Sequence, residues 1–422
     1  MSRPSLIYLL TSLCPLCLCG ESFADWAMAK AYKIPSEYTN QESGYFSIIE
    51  GQNGKLYIGC AKYGVNAYLV EFDPKNEKMK MVMDVHQVIG STATGFAAQA
   101  KLHTRNNVGS VTGKIYVGSK QGYPEKGESR DSYAGGYVLT HNPKTGKNEH
   151  FGIAKAKHGT ISVMPDEEND LAYVSTCSDD RPIDHTHFMV LDLKTKQYTD
   201  LGDMEHSYAF VVLDDKHRAL HPVRGGLIAR YDPKSKTLDK LSVTVDGKPV
   251  PKEISKDGAI QNWDTTTDRK TLYCVEMTTN QLYAFDIGAA GDAVPGRSLG
   301  KLLPHAKSTD CRAMAVSPNG VVWMAVSEPG RPEGQIAHLV SYTPGDLGPK
   351  QHGPIGIKNP DYVTLTGPDG KPKPWHHTLR KEKDGTLTPW QPLGIAAAAD
   401  GTPYVLTLAP FTLLKFEQFA KK

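Results

Sequence analysis

The chain has 422 residues, with 48 Lys and Arg against 46 Asp and Glu, a formal net charge of +2. That length fills one large β domain or two ordinary ones, and the near balance of charge excludes a polybasic surface for nucleic acid or anionic membrane. Gly (39) and Pro (28) are abundant and Tyr (20) outnumbers Phe (11), which suits short strands joined by tight turns.

Residues 1–24 read as a secretory leader. Arg3 supplies the charged start, Leu6–Cys19 the apolar run, and Ser22-Phe23-Ala24 the small residues before cleavage. The run is too short to span a bilayer comfortably, and no later stretch is long enough to do so. The expectation is a periplasmic or secreted protein without a membrane span. Cys14, Cys17 and Cys19 lie in the leader, leaving Cys60, Cys177, Cys274 and Cys311. Four scattered cysteines define no disulfide scaffold; a Cys274–Cys311 bridge and four buried thiols are the two readings.

Beyond the leader one phrase recurs about every 50 residues. It is an aromatic strand, a polar loop, a strand ending in an aromatic or Leu before a turn of the Asp-Pro-Lys kind, and a short last strand. The aligned positions are Tyr57, Tyr116, Tyr173, Leu220, Tyr273, Trp323 and Tyr404. A further strand precedes each, in the segments Tyr45–Ile49, Ala100–Thr104, Gly159–Val163, Tyr208–Leu213, Asn262–Thr266, Arg312–Val316 and Gly394–Ala398. The final interval carries an insertion of roughly residues 354–391 that holds Trp375-His376-His377. The last copy ends near its third strand, so Ala29–Tyr38 is expected to supply its outer one. Four short strands per repeat, WD40- or YVTN-like in period, predict an all-β fold. The expected architecture is a seven-bladed β-propeller of four-stranded antiparallel blades, one domain over residues 25–422.

In such blades the first strand starts, and the second ends, on the same face. That face is predicted to gather His103, Arg105, His158, Tyr208, Trp263 and Arg312 from first strands. Lys120, Gln121, His221 and Arg224 join them from second-strand ends. Cations mixed with aromatics suit an anionic or polyhydroxylated ligand, because guanidinium pairs with carboxylate and aromatic faces stack on sugars. Proton removal beside a uronate carboxylate needs that charge damped and a base in reach; Tyr208, His103, His221 and Arg224 could fill these roles. Packed strand residues are the bland alternative. His185 and His187, two apart, invite a metal reading with Cys177, Asp179 or His206, against a plain polar strand edge. No motif calls for a cofactor; a structural calcium or zinc ion is compatible with the set. There is no Walker loop, dinucleotide fingerprint, G-x-S-x-G elbow or H-E-x-x-H.

The blades resemble exported bacterial seven-bladed propellers that include ulvan- and oligogalacturonate-type polysaccharide lyases. Ulvan lyase propellers are similar in having a first-strand His, a second His in that blade, and then a Tyr and an Arg spaced as Tyr208 and Arg224 are. His103 matches the first His, and Lys120-Gln121 stands where the second is expected. The resemblance implies β-elimination with Tyr208 as base or acid, His103 assisting proton transfer, and Arg224 with Lys120 neutralising the carboxylate. Three functions stay open: an anionic poly- or oligosaccharide receptor with or without elimination, a non-catalytic ligand- or protein-binding propeller, and a metal-dependent hydrolase or lactonase. A monomer is expected.

Overall fold

Each repeated aromatic becomes part of the second strand of an antiparallel run of four. The computed structural model describes residues 25–40, 43–178, 185–206, 210–250, 262–275, 279–330, 335–359, 379–408 and 411–420. The expected leader, Tyr208, Asp179 and Trp375-His376-His377 lie outside these residues. The first blade orders Ser43–Glu50, Leu56–Lys62, Asn66–Asp73 and Lys78–Asp84. In the second the inner strand is broken into Lys101–Leu102 and Asn107–Val108, followed by Ile115–Lys120, Tyr137–His141 and Asn148–Ile153. The third comprises Gly159–Asp166, Leu171–Cys177, His187–Asp192 and Tyr198–Asp203. Val212–Leu213, Ala219–Val223, Leu227–Asp232 and Thr237–Val245 form the fourth. The fifth runs through Trp263–Thr265, Thr271–Cys274, Leu282–Asp286 and Ala293–Gly300. The sixth has Asp310–Val316, Val322–Glu328, Ile336–Tyr342 and Lys350–Ile357. The last has Gln391–Ala397, Pro403–Leu408 and Thr412–Lys415.

Its outer strand comes from the other end of the chain. Ala27–Lys33 pairs antiparallel with Thr412–Lys415, so the N-terminal segment closes the last blade. The expected span, Ala29–Tyr38, is shifted: Pro35 and Tyr38 make a turn, with the Tyr38 N–H donating to the Pro35 carbonyl at 3.1 Å. Proline cannot continue the ladder as a donor, so the strand stops before it. The insertion begins later than expected, because Pro354–Ile357 completes the sixth blade's outer strand. Its described remainder is a small ladder of Arg380–Lys381 with Leu387–Thr388.

The aromatic repeat is explained by packing between blades. Tyr57 meets His141 with ring centroids 5.6 Å apart, Tyr173 meets Tyr231 at 6.1 Å, and Tyr273 meets Tyr342 at 5.9 Å. Tyr404 meets Phe72 of the first blade at 6.4 Å. Each time a second-strand ring lies on the residue near the end of the following blade's third strand. The last contact carries the pattern across the closure. Aromatics bury large areas and pack edge-on or tilted, so one recurring register serves these four joints. The chain is thus an all-β propeller. Cys60, Cys177, Cys274 and Cys311 are all buried and outside any disulfide, so the Cys274–Cys311 bridge is not formed. No helix among the described residues is long and apolar enough to cross a membrane.

Candidate functional site at the channel mouth

Strand register brings the expected ends together. Lys101 pairs with Lys120, Gly159 with Cys177, Trp263 with Cys274, and Asp310 with Ser327, in each case a first-strand start with a second-strand end. Inner strands slip register near this end: between Ser43 and Ile48, Thr160 and Ser162, Asp310 and Ala313, and Pro392 and Gly394. Such irregularities re-aim side chains. In the second blade the break is widest. Thr104 substitutes for the missing ladder, its hydroxyl accepting from the Gly118 N–H at 2.9 Å and reaching the Gly118 carbonyl at 3.2 Å. His103 and Arg105 lie on either side of that threonine. Tyr45, whose ring lies 4.3 Å from that of His103, has a φ of 63°. Left-handed backbone at a non-glycine residue is locally strained, as binding sites often are.

His103, Lys101 and Lys120 are all buried, at 1%, 1% and 0% exposure. Burial drives the His103 imidazole well below its ordinary range, and the Lys101, Lys120 and Arg312 charges push it the same way. It is therefore neutral at physiological pH. The Lys101 ammonium lies within 5.8, 5.3 and 4.6 Å of the ring centroids of Tyr45, Tyr63 and Tyr123, a cation–π arrangement. Tyr123 is the outer wall of this cage, at 58% exposure. The Lys120 ammonium is 3.5 Å from the Cys177 sulfur. Gly159 leaves room for this lysine, since a Cβ there would fall 2.3 Å from Lys120 Cγ.

Next to this cluster is a small cavity of about 20 Å³, room for about one water, lined by Phe46, Ile48, Arg105, Phe210, Asn262, Arg312, Met314, Gly394 and Ile395. Inner strands and their flanks from five or more blades meet there, which marks it as axial. Arg105 is tied to Asp264 at 2.5 Å, donates to the Trp263 carbonyl, and lies over the Phe210 ring. Arg312 Nε donates to Asp310 at 2.9 Å, and its side chain is 36% exposed against 15% for Arg105. Of the four cations around His103 and the cavity, Arg312 is the most open.

Other expected residues are placed elsewhere. His221 is wholly buried, with Nδ1 2.7 Å from the Pro222 carbonyl and Nε2 2.9 Å from Ser175 Oγ. It is a strut between the third and fourth blades, not a ligand-facing base. Trp263 is 1% exposed and donates through its indole N–H to the Phe210 carbonyl at 2.6 Å, so it offers no face for a sugar. Arg224 is surface-exposed and reaches Glu205 at 3.3 Å. Gln121 is buried beside a second cavity with Phe96, Arg130, Asp131, Lys157 and Ser178. His158 packs edge-on against His187 and contacts Thr176 Oγ1 at 3.2 Å. His185 and His187 each turn Nδ1 to a separate carboxylate, Asp203 at 2.5 Å and Asp200 at 2.8 Å. Different strand positions send the two rings to different partners, so they do not converge as a ligand pair. His206 is buried. The sequence reading passed over Lys101 and Tyr45; both flank the inner-strand irregularities, which strand patterning does not reveal.

The buried imidazoles make stability fall in acid. His158, His221 and His352 are lowered by burial to about 4, from 6.5. Between these values the unfolded chain binds protons that the folded chain refuses, so stability is full above about 6.5 and declines as pH falls toward about 4. Thermal melts from about pH 7.5 to about pH 4.5 should show a falling midpoint, and His221→Gln should flatten part of the slope. A midpoint independent of pH across that window would contradict the placement.

No protein-family model and no curated protein matches the chain. Solved structures do. A streptogramin B lyase structure aligns with TM-score 0.55 and 13% identity, over 92% of this chain and 96% of that one. The extracellular domain of a hybrid two-component system from B. thetaiotaomicron aligns at 0.54 and 10%, over 92% of this chain and 39% of that one. The Cps50 (Swd1) β-propeller domain of Myceliophteria thermophila gives 0.53 and 9%, over 92% and 98%. At such identities the likeness is one of fold, and proteins sharing this fold differ widely in function: by strand pairing and by likeness, the chain is similar to β-propeller proteins.

Proposed function

We infer that the chain is an exported receptor for a carboxylate-bearing oligo- or polysaccharide, taken at the channel mouth. The observation that carries this reading is the grouping of cations about the buried His103: Lys101 pairs with Lys120 and lies over the Tyr45 ring that packs on His103, and Arg312 lines the cavity with Phe46, whose ring also meets His103. Fixed buried cations set a positive field at the axis, where low-dielectric walls focus it. Arg312, the most exposed of the cavity's cations, is the direct partner of the carboxylate; the outward Tyr123 ring is the stacking surface for a sugar. His103, kept neutral, is in the protonation state that a proton acceptor needs. The resemblance to uronate lyases assigns the companion acid–base role to Tyr208, and Arg224 is set against Glu205 at the surface.

The test is retention on a panel of uronate polymers and on neutral glucans, with absorbance followed near ~235 nm, where an unsaturated uronate product absorbs. Retention on uronates alone is the expected result. A rise in absorbance extends the reading to β-elimination, and binding without a rise restricts it to recognition. Equal retention on neutral glucans, or none on any polymer, would refute it.

A further inference from the structure

A second cluster stands on the sixth blade, apart from the cation group. Glu328 ends the second strand, His338 lies on the third, and His305 comes from the loop before the inner strand. Glu328 pairs with Ile336 and Val326 with His338, so Glu328 and His338 are diagonal neighbours on the ladder. The ligand atoms of all three lie within 4.8 Å of one another. His305 Nε2 and His338 Nε2 are each 3.4 Å from the same oxygen, Glu328 Oε2.

That distance is longer than most of the molecule's histidine–carboxylate contacts, although His217 and Glu168 also stand 3.4 Å apart. His185–Asp203, His217–Asp166 and His187–Asp200 close to 2.5, 2.7 and 2.8 Å. Two imidazoles aimed at one oxygen from 3.4 Å are too far for good hydrogen bonds. Ligands about 2.0–2.1 Å from a tetrahedral zinc ion are separated by about 3.3 Å, which matches the two distances to Glu328 Oε2. The third ligand is also held in place. Asn280 accepts from the Leu303 N–H at 2.8 Å and donates to the Ala306 carbonyl at 3.0 Å, pinning the loop on both sides of His305. Leu302 and Leu303 are wholly buried beneath it.

We propose that His305, Glu328 and His338 bind a divalent transition-metal ion, zinc by preference, with a fourth position open to water or to an anionic oxygen. Two imidazole nitrogens and one carboxylate suit zinc and its borderline neighbours; calcium and magnesium prefer all-oxygen sets. The His305 side chain is 52% exposed and that of His338 11%, so the ion enters from the solvent side. The site stands whether or not the saccharide reading does.

The test is calorimetric titration of the purified, chelator-stripped mature protein with Zn²⁺, and separately with Co²⁺ while visible absorbance is recorded. One equivalent is expected, with the strong d–d bands of a four-coordinate Co²⁺ site. Glu328→Gln and His305→Gln should each weaken binding by at least about tenfold. His305→Gln, at an exposed position, guards against misfolding, and His185→Gln should bind as the unaltered protein does. Absence of a stoichiometric site would overturn the proposal, as would wild-type affinity in both Glu328→Gln and His305→Gln. Loss of binding in His185→Gln would place the ion at the third blade and also refute it.

Discussion

Removal of residues 25–33 is expected to abolish cooperative folding rather than trim an edge. One strand bonds to three blades. Ala27–Lys33 pairs antiparallel with Thr412–Lys415 of the last blade, and its start pairs parallel with Ile355–Ile357 of the sixth. Lys30 and Tyr32 reach Glu77 of the first blade at 2.5 and 2.6 Å. Ala27, Ala29 and Ala31 turn inward and are buried, while Met28, Lys30 and Tyr32 alternate outward. Small residues let this strand sit tight against its neighbours, and its loss opens Thr412–Lys415 as an unpaired edge. The loss is roughly 5 kcal/mol or more, comparable to the whole net stability of many domains. Circular-dichroism melts and size-exclusion chromatography of the truncated chain should show a broad, lowered transition or soluble aggregate. A melt within about 3 °C of the same chain with residues 25–33 kept would contradict closure by this strand.

Asp264→Ala should cost roughly 3 kcal/mol and lower the melting midpoint by roughly 5 °C. Asp264 holds Arg105 at 2.5 Å across the channel, with side chains only 17% and 15% exposed. The same carboxylate oxygen accepts the Val316 N–H at 2.8 Å. One aspartate thus joins the second, fifth and sixth blades. Removing it leaves a guanidinium against Phe210 without that counter-charge, whereas removing both charges avoids the penalty. Arg105→Met with Asp264→Leu should therefore recover most of the stability. If the single and double variants melt alike, the pair is not what holds these blades.

The repeat was readable because one physical contact recurs. Tyr57, Tyr173, Tyr273 and Tyr404 each pack on the next blade, so the pattern survives wherever the joint does. The shared face was also legible, since the pairing of Lys101 with Lys120 and of Asp310 with Ser327 follows from antiparallel order alone. Side-chain direction at that face was not. A one-residue change of register turns a strand residue from the channel to a blade interface, and every slip near the mouth does so locally. His221 and Trp263 point into the joints from ladders that run without a slip, whereas Arg312, between Asp310 and Ala313 where the register shifts, lines the cavity. His305 was invisible for a different reason: Asn280, distant in sequence, positions its loop.

The central claim is that the mouth takes a carboxylate through Arg312. The most direct measurement is isothermal titration of an oligouronate and its carboxyl-reduced counterpart into the unaltered protein and into Arg312→Gln. Loss of a charge-assisted bond of about 1.5–3 kcal/mol corresponds to roughly tenfold or more in affinity. The expected result is that carboxyl reduction and Arg312→Gln each weaken binding by that amount, and that the two losses do not add. Equal affinity for the reduced sugar, or an Arg312→Gln variant that still discriminates against it as the unaltered protein does, would contradict the claim.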